Sequence, residues 1–546
     1  MLRREFHFSL ARRGRPGDAQ SGEIVPAWRD ACYRPRRSRS AWRPGPPGGT
    51  APMRILRSFA AIALAILLPA GIAAAQPKDR LTLGMGLEPP HLDPTAGAAA
   101  AIDEVTYANL FEGVVRINRA GKVAPQLARS WTVSGDGLTY SFALHPDVKF
   151  HDGTPLTAAD VKFSWDRARG ADSVNAQKRY FAAIERIETP DPLTVVVTLS
   201  RRDGYFLFNM GAGDATIVSA KTADANKTTP IGTGPFKFER WAKGDRVVLV
   251  RNDAHRNAAQ VKLRQVTFRF IGDPSAQVAS LLAGDVDLWP NIGAAEALGR
   301  LRADGRFTVQ PGQTEGETIL AINNRKKPFD DVRVRRAISH AIDRKAIIDG
   351  AMQGFGTPIG SHFSPAAPGY VDLTGTYPHD IAKAKALLAE AGLPDGFEAT
   401  LKLPPPAYAR RGGEVVAAQL AQAGIRVKIE PVEWAQWLAT VFRGRDYDLT
   451  IVSHTEPMDI EIYSRDDYYF GYRSDRFKGV MSAIDAAPDA AARTKLFGDA
   501  QRILAEDAVN GFLFQLPKLG VWNRNLTGVW ENSPVQANDV TGVAWK

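Results

Sequence analysis

The stretch GEVVAAQLAQAGIRVKIEPVEWAQWL (Gly413–Leu438), followed by YDLTIVS (Tyr447–Ser453), decides the fold class. It reads as a helix with Val415, Val416 and Leu420 turned inward, stopped at Gly424 and followed by a strand from Ile425 to Ile429. A second helix carries Trp434 and Trp437, and a further strand runs from Asp448 to Ser453. Strands that alternate with helices at this spacing need crossover connections, which predicts an α/β protein with a mainly parallel sheet.

The same grammar extends outward along the chain. Leu138 to Leu144 alternates, with Tyr140, Phe142 and Leu144 on one face, as a half-buried strand does. Thr157 and Asp160 have capping-box spacing and open a helix through Phe163 and Trp165. Val278, Leu281 and Leu282 form a helical stripe closed by Gly284, ahead of a short strand around Val286 and Leu288. Val334, Ala337, Ile338, Ala341 and Ile342 repeat the helical spacing. Asp380 caps a helix bearing Ile381, Ala384, Leu387 and Leu388 that stops at Gly392-Leu393-Pro394.

Catalytic motifs do not surface. The runs GMGLEP (Gly84), GAGDAT (Gly211) and GTGPFK (Gly232) begin like dinucleotide loops and lack the last glycine, so all three read as turns. None of the nine histidines lies three or four residues from another, and His151-Asp152-Gly153 reads as a turn rather than a metal site. The aromatics Tyr463, Tyr468, Tyr469, Phe470 and Tyr472 read as core. The strand ending at Ser453 opens into His454-Thr455-Glu456-Pro457, and ligands bind beyond the carboxyl ends of parallel strands. His454 and Glu456 are therefore candidates.

Charge and export signals concern the front of the chain. From Met53, MRILRSFAAIALAILLPAGIAAAQ has a positive front (Arg54, Arg57), an apolar run from Phe59 to Leu68 and small residues Ala73 to Ala75. That is the order of a cleaved secretory signal, with cleavage before Gln76. A membrane anchor is the alternative, but a spanning helix needs about 20 residues. The first 52 residues hold eleven Arg against Glu5, Asp18, Glu23 and Asp30, so with Arg54 and Arg57 they account for nine of the ten net positive charges. The 471 residues from Gln76 onward are near neutral, which removes the nucleic-acid reading that the basic total suggests. Residues 1–52 are either an over-extended reading frame before a start at Met53 or a disordered basic extension. The one cysteine, Cys32, lies there, so the later chain has no disulfide, thiol nucleophile or lipid-attachment cysteine. A free periplasmic protein is expected.

Four stretches, Val123–Ala168, Ile231–Trp241 (IGTGPFKFERW), Ala279–Trp289 (ASLLAGDVDLW) and Asn323–Arg344, resemble bacterial extracellular solute-binding proteins of family 5. These serve ATP-driven importers of dipeptides, oligopeptides and nickel. The resemblance implies a type II-like periplasmic binding protein: two α/β lobes, a hinge and an extra domain inserted in the first lobe. Mapped onto this chain, lobe one is 76–108, 216–315 and 513–546, the inserted domain 109–215 and lobe two 316–512. It implies a binding component, not an enzyme, which captures a peptide-like or other polar organic solute and hands it to a membrane permease. A non-peptide solute (a sugar, an opine-like conjugate or a nickel complex), an exported hydrolase and a signal-relay partner are the alternatives. No cofactor, metal or nucleic acid is expected, and the protein is expected to be a monomer.

The resemblance also points to residues. Peptide-binding members hold the ligand amine with an aspartate four residues before a proline; here the proline matches Pro457 and the position is Ser453, beside His454 and Glu456. A serine cannot balance a buried ammonium, so Glu456 or another carboxylate substitutes, or the ligand is not an ordinary peptide. By the same match Trp434 and Tyr408 line the cleft, Arg410 and Arg411 either pair with a ligand carboxylate or are solvated surface charge, and Met85, Leu87, Asn209 and Asp214 approach from the other lobe.

Overall fold

The computed structural model describes residues 78–546 except 98, 368 and 488. The expected leader, signal and cleavage point lie outside the described residues. Ten strands form one continuous path: Ile425–Pro431, Phe397–Leu403, Leu449–His454, Phe307–Ile322, Gly511–Asn523, Leu288–Trp289, Arg80–Met85, Gln265–Phe270, Arg246–Arg251 and Phe236–Ala242. Thr357–Pro358 joins off this path, beside Gly511–Asn523.

The unit quoted first folds as read, with shifted edges. Its helix is Ala407–Gln422, its first strand runs on to Pro431, and the second helix is a short turn, Trp434–Trp437, continued as a wider π-helix to Arg443. Phe397–Leu403 pairs in parallel with strands on both sides. The expectation of a mainly parallel sheet fails at the centre, where Phe307–Ile322 runs antiparallel to both Leu449–His454 and Gly511–Asn523. The reason is long-range: these two long strands meet about 200 residues apart in sequence, beyond the reach of a local βαβ pattern. Gly84 is also corrected, because it lies within the strand Arg80–Met85, where a Cβ would come 2.3 Å from the Trp289 ring.

Local signals otherwise set the elements. Asp160 accepts from the Thr157 backbone N–H at 2.9 Å and starts the helix Ala158–Arg169. The Asp380 carboxylate accepts from Lys383 N at the head of Ile381–Glu390. Gly284, in the left-handed region at φ 78°, ends Pro274–Ala283, where a side chain would be strained. Thr139–Leu144 buries Tyr140, Phe142 and Leu144. With Ala128–Val133, Thr194–Leu199 and Ile184–Asp191 it forms a separate antiparallel sheet. That sheet and the Ala158–Arg169 helix enclose their own core, including Phe142, Trp165, Val195 and Phe206.

The two long strands sit next to each other at the centre of the ten-strand path. Their ladder slips between Gln313 and Glu317, so that residues 314–316 face Leu516 alone. Pro517, with no N–H to donate, sits at this break. Side chains supply the missing bonds: Thr314 Oγ1 donates to Leu516 O at 2.6 Å, and Gln515 Nε2 donates to Thr314 O at 2.6 Å.

Candidate functional site

The site is built at the end of the strand Leu449–His454. Strand alternation sends Leu449 and Ile451 into one core and Val452 into another, so Ser453 and His454 face opposite sides of the sheet. The Ser453 N–H donates to Tyr408 Oη at 3.3 Å, and burial pushes the Tyr408 phenol up to about 12. Ser453 Oγ and the Oγ1 of Thr318, its partner across the ladder, are buried without hydrogen bonds.

On the other face a chain of polar groups runs through the aromatic core. Asn510 Nδ2 donates to Tyr463 Oη at 2.9 Å, and that hydroxyl is 3.1 Å from His362 Nδ1. His362 Nε2 meets Asp459 Oδ1 at 2.8 Å, Asp459 Oδ2 lies 3.4 Å from His454 Nδ1, and His454 Nε2 lies 3.0 Å from Tyr469 Oη. Burial alone would raise the Asp459 carboxyl, but the two imidazoles outweigh it and hold it well below the usual range. Glu317 stands opposite His454 in the ladder, is 4% exposed, and has one carboxylate oxygen without a partner. Burial, then the charges of Asp459 and Glu315, push Glu317 well up; burial also raises Glu315 to about 7.

A second acidic wall faces this one. Asp214 lies in the turn Gly213–Ala215, where burial and then the charge of Glu456 raise its carboxyl to about 7. Asp103 is raised too, by burial and then by Asp214. A Cβ on Gly213 would sit 2.3 Å from the Asp103 carboxylate, so only glycine admits this approach. Arg179 crosses between the walls to pair with Glu461. Further contacts join the same two regions: Arg201 to Asp485 at 2.7 Å, and the Tyr205 and Phe497 rings with centroids 5.5 Å apart.

The sequence candidates divide accordingly. Ser453, His454, Glu456, Tyr408 and Asp214 fall in or beside these walls. Trp434 is half-buried against Trp437 with ring centroids 5.5 Å apart, and Trp437 Nε1 donates to Thr450 Oγ1 at 3.0 Å. Arg410 pairs with Glu433 at 3.1 Å and Arg411 with Glu296 at 3.5 Å, as surface charges do. Met85 is buried and Leu87 is 62% exposed; neither takes part in the polar network. Their neighbour Glu88 accepts from Trp241 Nε1 at 2.8 Å. Asn209 ends the short helix Phe206–Asn209, half-buried. Sequence reading missed Glu317, His362, Asp459, Asp103 and Arg179. Only Glu317 carried a signal, as a charge at the head of the apolar run TILAI.

Residues 122–471 match the bacterial extracellular solute-binding proteins, family 5, middle region. The chain belongs to this family. Glutathione-binding protein GsiB of Pectobacterium atrosepticum is 32% identical over 392 residues, covering 69% of this chain and 74% of that protein. The dipeptide-binding protein of Escherichia coli is 33% identical over 350 residues, 58% of this chain and 65% of that one. Among solved structures, the periplasmic binding protein AgaA from A. tumefaciens R10, in complex with agropinic acid, superposes with a TM-score of 0.76 at 27% identity, covering 86% of this chain and 99% of that one. Helicobacter pylori DppA in complex with the peptide STSA gives 0.77 at 26%, covering 85% and 98%. The fold of this family 5 protein is the type II-like one, two α/β lobes with an inserted domain and a hinge. It is a substrate-binding component of an ABC importer, a binding protein that works with membrane permease subunits.

Proposed function

We propose that this protein captures a polar organic solute bearing a cationic group, peptide-like in the first instance, between its two lobes. The observation that carries this is the approach of Asp214 to Glu456 from opposing walls, where burial and then the charge of Glu456 raise the Asp214 carboxyl. A guest ammonium placed there relieves that repulsion, a task the family's aspartate performs where this chain has Ser453. The lobe division 76–108, 216–315 and 513–546 against 316–512, with 109–215 inserted, is supported by the ladder break at residues 314–316 and by the separate core of residues 114–217. Closure about that break buries the solute and changes none of its bonds. The mature protein is a monomer free in the periplasm, its signal removed before Gln76.

A thermal-shift series with dipeptides, glutathione, agropinic acid and amine-free sugars tests the reading. An amine-bearing member at a hundred times its dissociation constant stabilises by about 2.7 kcal/mol, and amine-free sugars do nothing. Shifts by sugars alone, or by no compound, overturn it. The second reading, a non-peptide solute, is favoured by the unpartnered Ser453 Oγ and by the agropinic acid held by AgaA. Under it, Ser453→Asp gains dipeptide affinity that the native chain lacks.

A further inference from the structure

We propose that His362, His454 and Asp459 form a binding site for one divalent transition-metal ion of the zinc type. Three separate segments deliver the donors: the loop at 362, the strand end at 454, and the start of the Asp459–Ser464 turn. One nitrogen of each imidazole and a carboxylate oxygen all lie within 4.8 Å of one another. Ligands at zinc bond lengths of about 2.0–2.2 Å stand roughly 3.4 Å apart around a tetrahedral ion, so the cluster needs only a small contraction.

The arrangement behind the donors fits a metal better than a simple buried salt link. The outward nitrogens, His362 Nδ1 and His454 Nε2, are engaged by the hydroxyls of Tyr463 and Tyr469 at 3.1 and 3.0 Å. Those contacts fix both rings so that His362 Nε2 and His454 Nδ1 face Asp459, as outer partners of metal-bound histidines do. A second, independent feature is Glu317. It pairs with His454 across the ladder, so both side chains lie on one face, and its buried Oε2 has no partner. Glu317 lies outside the three residues whose donor atoms fall within 4.8 Å of one another and would have to shift toward them to become the fourth donor of a tetrahedral N/O site; imidazole with carboxylate suits zinc or nickel. The bound ion would also pin the turn that carries Glu456 and Glu461 to the sheet.

The test uses the mature chain, stripped with a chelator and titrated with Zn²⁺ by calorimetry, with metal content read by mass spectrometry. One equivalent binds, and His362→Gln or His454→Gln weakens it by about 100-fold or more. Because those variants can disturb the core, Tyr469→Phe serves as the mild probe and lowers affinity about 10-fold or more while melting stays near the native value. Glu317→Gln, which keeps shape and removes charge, lowers it as well, and the cobalt-loaded native protein shows tetrahedral visible bands that Glu317→Gln alters. Absence of stoichiometric binding by the native chain, or native affinity in all four variants, overturns the proposal. Solute binding is measured separately and its outcome leaves this one unaffected.

Discussion

Glu112 and Asp214 are both carboxylates set into the protein, and their surroundings drive them in opposite directions. Glu112 receives two hydrogen bonds from the Arg256 guanidinium, at 2.7 and 3.0 Å, with His255 at 3.5 Å. Burial alone would raise it, yet these partners outweigh burial and hold its carboxyl at about 2. Asp214 is raised to about 7 by burial and by Glu456, and Arg179 offsets only part of that. Where the fold supplies its own counter-charge the carboxylate is architecture. Where it supplies too little, the carboxyl is raised, and the proposed cationic solute would offset the remainder.

The comparison breaks hardest at Arg256. Arg256→Ala leaves Glu112 buried with His255 as the one remaining of these partners and is expected to cost about 3–5 kcal/mol, read from the urea midpoint. Next come the pH slopes, which should have opposite signs. The folded Glu112 carboxyl titrates near 2 rather than at 4.5, so the unfolded chain takes up the proton first. Stability is then lost as pH falls from about 5 to about 2, by about 3 kcal/mol at about 1.4 kcal/mol per unit. The folded Asp214 carboxyl titrates near 7 rather than at 3.8, so the folded protein takes up the proton first. Its contribution falls as pH rises from about 4 to about 7. Asp214→Asn should flatten that decline, gain stability at neutral pH and lose solute affinity, measured by urea unfolding across pH and by calorimetry. A variant with the native slope would remove Asp214 from the comparison. The smallest effect is expected at Arg201, whose bond to Asp485 joins two half-exposed groups. Arg201→Ala should change stability by only about 0.2–1 kcal/mol in the same assay, because water screens the pair.

Local structure was legible because its causes are local. The Thr157–Asp160 box, the Asp380 cap, the stop at Gly424 and the alternation of Tyr140, Phe142 and Leu144 each act within a few residues, and each holds in the structure. That a strand after Tyr447 ends at Ser453-His454 was legible too, since its apolar run and the Pro457 beyond it are local signals. His362 was not, because nothing in GSHFSP marks a histidine that will meet Asp459 across 97 positions of chain. The partner of Arg410 was not legible for the matching reason: Glu433 lies across a turn and a strand, and only folding brings the charges together.

The sequence by itself determined the helices, the strands, their caps and the family, because periodicity, turn chemistry and motif order are written in consecutive residues. Tertiary structure alone decided the antiparallel centre, the break at residues 314–316 and how fully each buried acid is matched by a cation. Those outcomes depend on pairings between segments tens to hundreds of residues apart, and the strength of a charge in a protein depends on what burial places around it.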